Sequence, residues 1–404
     1  MLDMRRARWL ARAIDTTAFG GNEQTDRRGE RCAESRRRIA GYLELRGLEA
    51  VALTSPASVA WVTGGFGPPV DRGSAAADVW AVVSRSEATL VTTVVEQDRL
   101  LEDYDPARHG FGLVAVDWYD PSAMARACAE IAGVEQGALA SDGRAELGPD
   151  VGADLVELRL PLCAAEQVEL RGLGALAATA LGEALRAWRP GRSTDREIQA
   201  AIACRLEAAG ADSPVLIVGG DERVRRLRHP VATGARANEL VMAVVVARRL
   251  GLHVAATRYA ATAVAARGLR PLLARVEQVD DAVLAATVPG ATYVEVLAKL
   301  DEAYERAGAR GAWRDHYQGG PIGFAQREFE IAPGGPYGPY GLTEVKVGNA
   351  IAWNPSLGGG GKCEDTYLVE EGRLSRVTVQ QGWPTSTAGS ASPLAERPGV
   401  LVVD

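Results

Sequence analysis

Apolar positions follow two different periods in the first part of the chain. In ESRRRIAGYLELRGLEA, residues 34–50, they recur every three or four positions, which predicts an amphipathic helix closed by glycine. The short apolar runs AVALTS, VWAVVS and ATLVTTVV that follow are typical of buried strands. This alternation predicts an α/β domain over 31–160, preceded by an N-terminal arm over 1–30.

A long helical pattern opens a second predicted domain, 161–384, and stops at Pro190-Gly191. Two later stretches, RPGRSTDREIQAAIACRLEAAG and VPGATYVEVLAKLDEAYERAG, share a Pro-Gly, a Thr-x-x-Glu capping box and a closing Ala-Gly. The same thirteen positions separate the glutamate from the closing glycine in both copies. The repeat predicts a domain of two similar halves with a cleft between them.

Composition narrows the class of protein. The 45 basic and 52 acidic residues leave a net charge of −7 without a basic block, which argues against nucleic-acid or membrane binding. No apolar run approaches the length of a membrane span. The five scattered cysteines contain no CxxC pair and predict a reduced, cytoplasmic protein. The small, polar residues after Pro384 predict a disordered tail over 385–404.

Four further stretches carry a family resemblance: His229-Pro230, LVMAVVVARRLGLHVAATR, GGPIGFAQRE and AIAWNPSLGGGGKCEDTYLV. Together with the repeat, they resemble the creatinase/aminopeptidase P superfamily, the peptidase M24 family that includes Xaa-Pro peptidases. The resemblance implies an α/β (α+β) fold, in which a small N-terminal creatinase-like domain precedes a C-terminal pita-bread domain with an internal pseudo-twofold repeat. It also implies a homodimer.

The family's metallopeptidases bind two divalent ions through two Asp, one His and two Glu, ligands that suit Mn, Co or Zn. The flanking motif residues set the register of these five positions in the present sequence. Four of them hold other residue types and the last keeps its glutamate: Val244, Ala255, Gly320, Asn354 and Glu364. We therefore expect neither a metal nor another cofactor.

Creatinase itself works without a metal and uses a histidine, and RLRHPVATGARANEL places His229 at that position by resemblance. An imidazole titrates near neutral pH, so it can activate water and then protonate a leaving nitrogen. The alternative is a structural histidine with an ordinary hydrogen bond. Glu328 and Glu364 complete the candidate catalytic set, because paired carboxylates can bind an amidine, guanidine or ammonium group.

Glu328 and Glu364 have a second interpretation, a salt bridge that fills the vacated metal position, with partners drawn from Arg327, Arg258 and Lys362. Arg327 can instead bind a substrate carboxylate. Asn354 can orient an amide or water, unless it only stabilises the turn before Pro355. The other candidate substrate-binding residues are His316, which is also a reserve acid–base group, Tyr317, Arg258, and two residues of a loop expected to cover the partner's cleft, Phe66 and Arg72.

Three hypotheses follow from these residues. The first is a metal-independent, creatinase-like enzyme that cleaves a carbon–nitrogen bond, by hydrolysis or elimination, in a small zwitterionic amidine, guanidine or amide. The second is a catalytically inactive pita-bread module that binds a peptide or protein. The third is a metallopeptidase with relocated ligands, drawn from residues such as His229, His253, His316 and Glu364.

Overall fold

The structure of the protein is a computed structural model that describes residues 21–66, 70–387, 394 and 396–403. Most of the predicted N-terminal arm, residues 1–20, lies outside the described residues. The described part of the chain has a mixed α/β fold, and this confirms the predicted class. None of the helices in that part is both long enough and apolar enough to cross a membrane.

The N-terminal domain is built on one five-stranded sheet, with strand order β4-β3-β2-β1-β5. Its strands are β1 (Ala50–Leu53), β2 (Val79–Ser84), β3 (Ala88–Thr93), β4 (Gly112–Val116) and β5 (Ala140–Ser141). Its helices are α1 (Gly21–Arg46), α2 (Pro56–Val62), α3 (Gln97–Asp103), α4 (Ala123–Ala132) and α5 (Gly152–Arg159). The three predicted strands are confirmed, because the three apolar runs contain β1, β2 and β3.

The first predicted helix is confirmed at its C-terminal end and is longer than expected at its start. It begins at Gly21, inside the predicted arm, and ends at Arg46. Gly47 follows with a φ of 65°, the left-handed conformation that ends many helices and that glycine adopts most easily. Ile39 and Leu43, four positions apart, are buried on one face of the helix, as the amphipathic pattern requires.

Two four-stranded sheets form most of the C-terminal domain, in the orders β17-β8-β7-β6, where β17 is Leu401–Val402, and β14-β13-β10-β9. The first half contains α6 (Ala164–Ala187), α7 (Asp195–Glu207), β6 (Asp212–Gly220), α8 (Asp221–Arg226), β7 (Leu240–Arg249) and β8 (Leu252–Ala261). The second half contains α9 (Ala263–Ala286), α10 (Tyr293–Arg306), β9 (Gly319–Ile322), β10 (Ala350–Trp353), β11 (Ser356–Leu357), β12 (Gly361–Lys362), β13 (Tyr367–Glu370) and β14 (Arg373–Arg376).

The predicted internal repeat is confirmed in the backbone. Both capping boxes form: Thr194 Oγ1 accepts from the Glu197 amide at 3.2 Å, and Thr292 Oγ1 accepts from the Glu295 amide at 3.3 Å. The glutamate of each box accepts from the threonine amide in return. Both helices are followed by a left-handed glycine, with φ of 69° at position 210 and 68° at position 308. Each capping threonine also pairs with an extended segment of its own half.

The main apolar core crosses the predicted domain boundary at 160. It joins Leu53 and Trp61 of the N-terminal domain to Leu173, Leu181 and Val245 of the C-terminal domain. A buried salt bridge in the same region links Arg159, the last residue of α5, to Glu328. The N-terminal domain is therefore held against the pita-bread domain by both apolar contact and paired charge.

The predicted disorder of residues 385–404 is wrong for the described part of this tail. Residues 385–387 form β15 (Thr385–Thr387), which pairs with β16 (Glu396–Pro398), and β17 (Leu401–Val402) pairs in parallel with β8. Arg397 is 4% exposed and forms salt bridges with Asp280 and Asp281 of α9. Composition missed this order because one buried arginine and a strand edge decide it, and neither is visible in a local average of polarity.

Candidate functional site

The five positions that the resemblance assigns to metal ligands lie on or next to buried strands in both halves of the domain. Val244 lies on β7, Ala255 on β8 and Gly320 on β9, and all three are buried. Asn354 follows β10 and is 5% exposed. Gly320 has a φ of 146°, which an L-residue such as histidine rarely adopts, so the backbone itself disfavours the missing histidine.

Glu364, the one retained family ligand, is held in a buried cluster of hydrogen bonds and ion pairs. Its Oε2 accepts from Thr257 Oγ1 at 2.8 Å and lies 3.3 Å from Lys362 Nζ, while its Oε1 lies 3.5 Å from Arg327 Nη2. Burial opposes ionisation, but Lys362, Arg327 and the Thr257 bond outweigh it and hold the pKa of Glu364 below its usual range. Two of the three proposed salt-bridge partners are thus in contact with Glu364.

The residues at the former metal position do not fit a metal pair. Valine, alanine and glycine side chains carry no lone pair, and Glu364 is already paired with two cations. Within 21–66, 70–387, 394 and 396–403, no group of three or more His, Cys, Asp or Glu side chains could hold a metal ion. We therefore derive no chemical step through a metal. Whether the protein works without one stays a prediction.

The structure corrects the expected roles of Glu328 and Arg258. Glu328 Oε2 accepts from Arg159 Nε at 2.8 Å, and Oε1 accepts from the Ala325 amide at 3.1 Å, so this carboxylate anchors α5 and does not form a catalytic pair with Glu364. Arg258 is 3% exposed and donates to Asp365 at 2.8 Å, so its charge is paired with that carboxylate inside the fold. Both side chains satisfy buried charges of the fold.

His229 and His316 are in direct contact. Their Nε2 atoms lie 3.0 Å apart, although 87 positions separate the residues in the sequence. His316 Nδ1 lies 2.6 Å from the Tyr317 carbonyl oxygen, and Gln318 Nε2 donates to the His316 carbonyl at 2.7 Å. These bonds hold the His316 ring in place, while His229 is exposed.

Local electrostatics keep both imidazoles neutral. Burial and the nearby Lys362 ammonium lower the pKa of His316 to about 4. The His229 side chain is exposed, but partial loss of hydration around its ring and the same ammonium also lower its pKa, and Glu364 opposes this shift. The buried cluster at Glu364 is therefore close enough to act electrostatically on the histidine pair.

A cleft of about 610 Å³ opens beside the histidine pair. Its lining carries both signs of charge, an aromatic wall and the predicted residues His229, His316 and Tyr317. Tyr317 is 68% exposed at this surface. The sequence analysis missed several lining residues, which are Arg228, Trp313, Arg314, Asp315, Gln318 and Glu330. Arg228 directly precedes His229, so proximity in sequence was the signal that could have found it.

The remaining candidates occupy different surroundings. The side-chain Oδ1 of Asn354 is buried and has no hydrogen-bond partner within the described residues, whereas the backbone N–H of Asn354 donates to the Gln318 carbonyl at 2.8 Å. Phe66 stacks on Tyr104 at 4.5 Å inside the N-terminal domain. Arg72 forms an exposed salt bridge with Glu207 of α7. His253, expected to serve packing, is fully enclosed and hydrogen-bonded to the Gly323 carbonyl.

Comparison with known proteins agrees with this architecture. Dipeptidase PepE from Mycobacterium ulcerans superimposes with a TM-score of 0.69 and 19% identity, covering 93% of this chain and 98% of that one. The prolidase from Pyrococcus horikoshii OT3 gives 0.67 and 16%, with coverages of 86% and 99%. The Xaa-Pro dipeptidase from Bacillus anthracis gives 0.62 and 19%, with coverages of 86% and 97%. At these identities the likeness shows the fold alone. No curated protein matches the chain.

The two-half domain behind a smaller α/β domain defines the pita-bread class of protein, as predicted. Residues 169–371, half of the chain, match metallopeptidase family M24, and the chain belongs to this family. The match covers both halves of the repeat and includes every former ligand position. The family places the protein among hydrolase-like folds, while the side chains of this chain must decide its chemistry.

Proposed function

We propose that the protein is a metal-independent hydrolase that cleaves a carbon–nitrogen bond in a small zwitterionic amide, amidine or guanidine. The observation that carries the proposal is the His229–His316 pair, with 3.0 Å between the Nε2 atoms at the wall of a large cleft. Membership of a hydrolase family supports bond cleavage, and an amide substrate agrees with the dipeptidases that share the fold. The paired charges at Glu364 support independence from metal.

The hydrogen bonds of the pair support His229 as the proton acceptor. The Tyr317 carbonyl only accepts, so His316 Nδ1 donates to it. Nε2 of a neutral His316 then carries a lone pair and accepts from the Nε2–H of His229. His229 Nδ1 is left with an unused lone pair, which can take a proton.

Hydrolysis by this pair requires no reactant other than the substrate and water. His229 Nδ1 removes a proton from water as the water oxygen bonds to the substrate carbon, and the imidazolium returns the proton to the nitrogen as the carbon–nitrogen bond breaks. His316 stabilises the charged intermediate state of His229, because an ionised donor forms a stronger hydrogen bond. The lowered pKa values favour the neutral pair that can begin this cycle at neutral pH.

The charged residues of the cleft favour a substrate that carries one positive and one negative group. Arg228 and Arg314 can bind a carboxylate, and Asp315 and Glu330 can bind an ammonium or amidinium group. Asn354 Oδ1 lacks a partner within the described residues, and we propose that it accepts from an N–H of the substrate or from water. The homodimer, with Phe66 and Arg72 reaching a partner's cleft, also remains a proposal.

A substrate screen tests the proposed function. The chelator-treated protein is incubated with pools of dipeptides, N-acyl amino acids, guanidino acids and cyclic amidines, and products are identified by mass spectrometry. We expect turnover that survives chelation and falls by about 100-fold or more in His229→Ala, the range for loss of a general base. Turnover that requires added metal, or that is unchanged in a folded His229→Ala, would contradict the mechanism.

A binding module is the second candidate function, and one observation favours it. The retained ligand Glu364 is neutralised by Lys362 and Arg327, as expected where catalysis at the metal position has been lost. Absence of turnover across the screen, together with peptide binding that is equal in wild type and His229→Ala, would favour this candidate over the hydrolase.

A further inference from the structure

A second cavity adjoins the cleft on the other side of Arg228 and His316, which line both spaces. This side pocket lies between α8 and the turn that joins β11 to β12, and its volume is about 30 Å³. A single water needs roughly 10–15 Å³ of such space. The side pocket therefore has room for two oxygen-sized atoms next to the proposed catalytic pair.

The side pocket has a strongly positive lining. Arg225, Arg226, Arg228 and Lys362 face it, and none of the described residues that line it is acidic. The cavity on the opposite side of β12 differs, because Glu277, Asp280, Glu364 and Asp365 balance its arginines. The charged side chains in the wall of the side pocket are therefore all cationic, and the carboxylates that pair with three of them, Glu239, Asp315 and Glu364, lie outside its lining.

Two of the cations, Arg228 and Arg226, can still form hydrogen bonds to a ligand. Arg228 lies 3.3 Å from Asp315, an aspartate that is 65% exposed, and 3.5 Å from Ser356 Oγ, so its existing contacts are long and solvent-screened. Arg226 is exposed at the rim. A guanidinium presents several N–H donors in a planar fork, which matches the two oxygens of a carboxylate.

At one glycine of the turn, Gly358, neither the backbone conformation nor close packing requires the absence of a side chain. Gly359 and Gly360 have φ values of 95°, and a Cβ on Gly361 would meet Leu272 at 2.8 Å, so conformation or packing accounts for these three. Gly358 has no left-handed φ, and a Cβ there would meet nothing within 4 Å. Gly358 is exposed and belongs to the lining of the side pocket, and no neighbouring atom occupies the space beside its Cα.

We propose that the side pocket binds a carboxylate group of the substrate beside the bond on which His229 acts. The identity of the bound molecule as the substrate rests on the proposed function, but the affinity of the pocket for a carboxylate does not. Arg228 supplies the guanidinium fork, Arg226 adds charge at the rim, and Gly358 allows close approach. Arg327 is left to the buried cluster, because its contact with Glu364 already engages its charge.

Binding of N-acetylglycine and of N-acetylglycinamide to the full chain, measured by ligand-observed NMR, tests the proposal without turnover. The two probes differ only in carboxylate against amide. We expect the wild type to prefer the acid by about tenfold or more, the contribution of a charged hydrogen bond. Gly358→Val adds a branched apolar side chain at the wall of the pocket and Arg228→Gln removes the fork, so each should reduce the preference to within about twofold, since a neutral partner binds both probes alike.

Two matched controls accompany these variants. Gly268→Val alters a glycine of α9 whose Cβ would also meet nothing, and Arg196→Gln alters an exposed arginine of α7 that lines neither cavity. Both should keep the acid preference. His229→Ala should also keep it, even if the screen shows no hydrolysis, and this separates the pocket from the proposed function. The proposal would be overturned by an acid preference that survives in Gly358→Val and Arg228→Gln, or by the absence of this preference in the wild type. If inorganic phosphate displaces the acid at phosphate concentrations below the Kd of the acid, the pocket is a phosphate site instead.

Discussion

The former metal position and the histidine pair lie within electrostatic range of each other, yet their side chains are arranged in opposite ways. Glu364 is 4% exposed and is contacted by two cations and a hydroxyl. His229 and His316 bond to one another at the wall of a cleft, and the tautomers leave one nitrogen lone pair unused. The first region has its charges satisfied internally, and the second keeps a group that can react.

The contrast teaches how a metallopeptidase fold can accommodate the loss of its ligands. A lone buried carboxylate is costly, and Lys362 and Arg327 supply the positive charge that it requires. The same Lys362 lowers the pKa of both histidines and so favours their neutral forms. Cations that stabilise the fold at one position therefore tune the chemistry at the other.

The largest expected effect comes from breaking the buried cluster. Glu364→Gln leaves Lys362 buried without its carboxylate, so we expect the free energy of unfolding to fall by about 3–5 kcal/mol. His229→Ala, at an exposed position, should change it by about 0.5 kcal/mol or less. Urea denaturation measures both. The double variant Lys362→Met/Glu364→Gln should recover part of the loss, and a similar cost for Glu364→Gln and His229→Ala would remove the distinction between the regions.

His253 is a buried histidine, in contrast to the exposed His229. Burial lowers the pKa of His253 to about 4, so the unfolded chain, with an ordinary pKa near 6.5, binds a proton that the folded chain does not. The stability that depends on neutral His253 is complete above pH 6.5 and is lost as the pH falls from 6.5 towards 4, by about 3 kcal/mol in total. Urea titrations at each pH measure it. A pH dependence over this window that is the same in His253→Phe would contradict the assignment.

A smaller effect links the two regions. Lys362→Met removes a positive charge that lowers the pKa of His229, so this pKa should rise and the low-pH limb of activity should move to higher pH. NMR titration of the His229 ring proton measures the shift directly. Lys299→Met, on an exposed helix position outside both cavities, is the matched control. An unchanged His229 titration in Lys362→Met would show that the regions are independent.

The smallest expected effect concerns metal. A ligand that binds only the folded chain stabilises it by RT ln(1 + [L]/Kd), where [L] is the free ligand concentration, and so raises its Tm. With no carboxylate or imidazole at four of the five family positions, we expect neither Mn²⁺ nor a chelator to move the Tm by more than about 1 °C. Thermal unfolding with millimolar Mn²⁺, Co²⁺ or Zn²⁺ measures it. A metal-dependent rise that disappears in His316→Gln would revive the hypothesis of relocated ligands.

Local features of the fold were predictable from local sequence. The two capping boxes, their closing glycines and the strands β1 to β3 form where the pattern indicated, because each depends on residues within a few positions of one another. The five positions assigned to metal ligands were also located from the flanking motif residues alone. Errors occurred where distant contacts decide the outcome, as in the tail that Arg397 attaches to α9.

The sequence by itself determined the class of fold and the repeat, and it predicted the loss of the metal ligands, which stays a prediction. Only the tertiary structure decided which of the remaining charged groups are engaged: Glu328 with Arg159, Arg258 with Asp365, and Glu364 with Lys362 and Arg327. It also decided that His229 meets His316. Periodicity and capping reflect neighbours along the chain, whereas the pairing of side chains depends on how the two halves of the domain pack together.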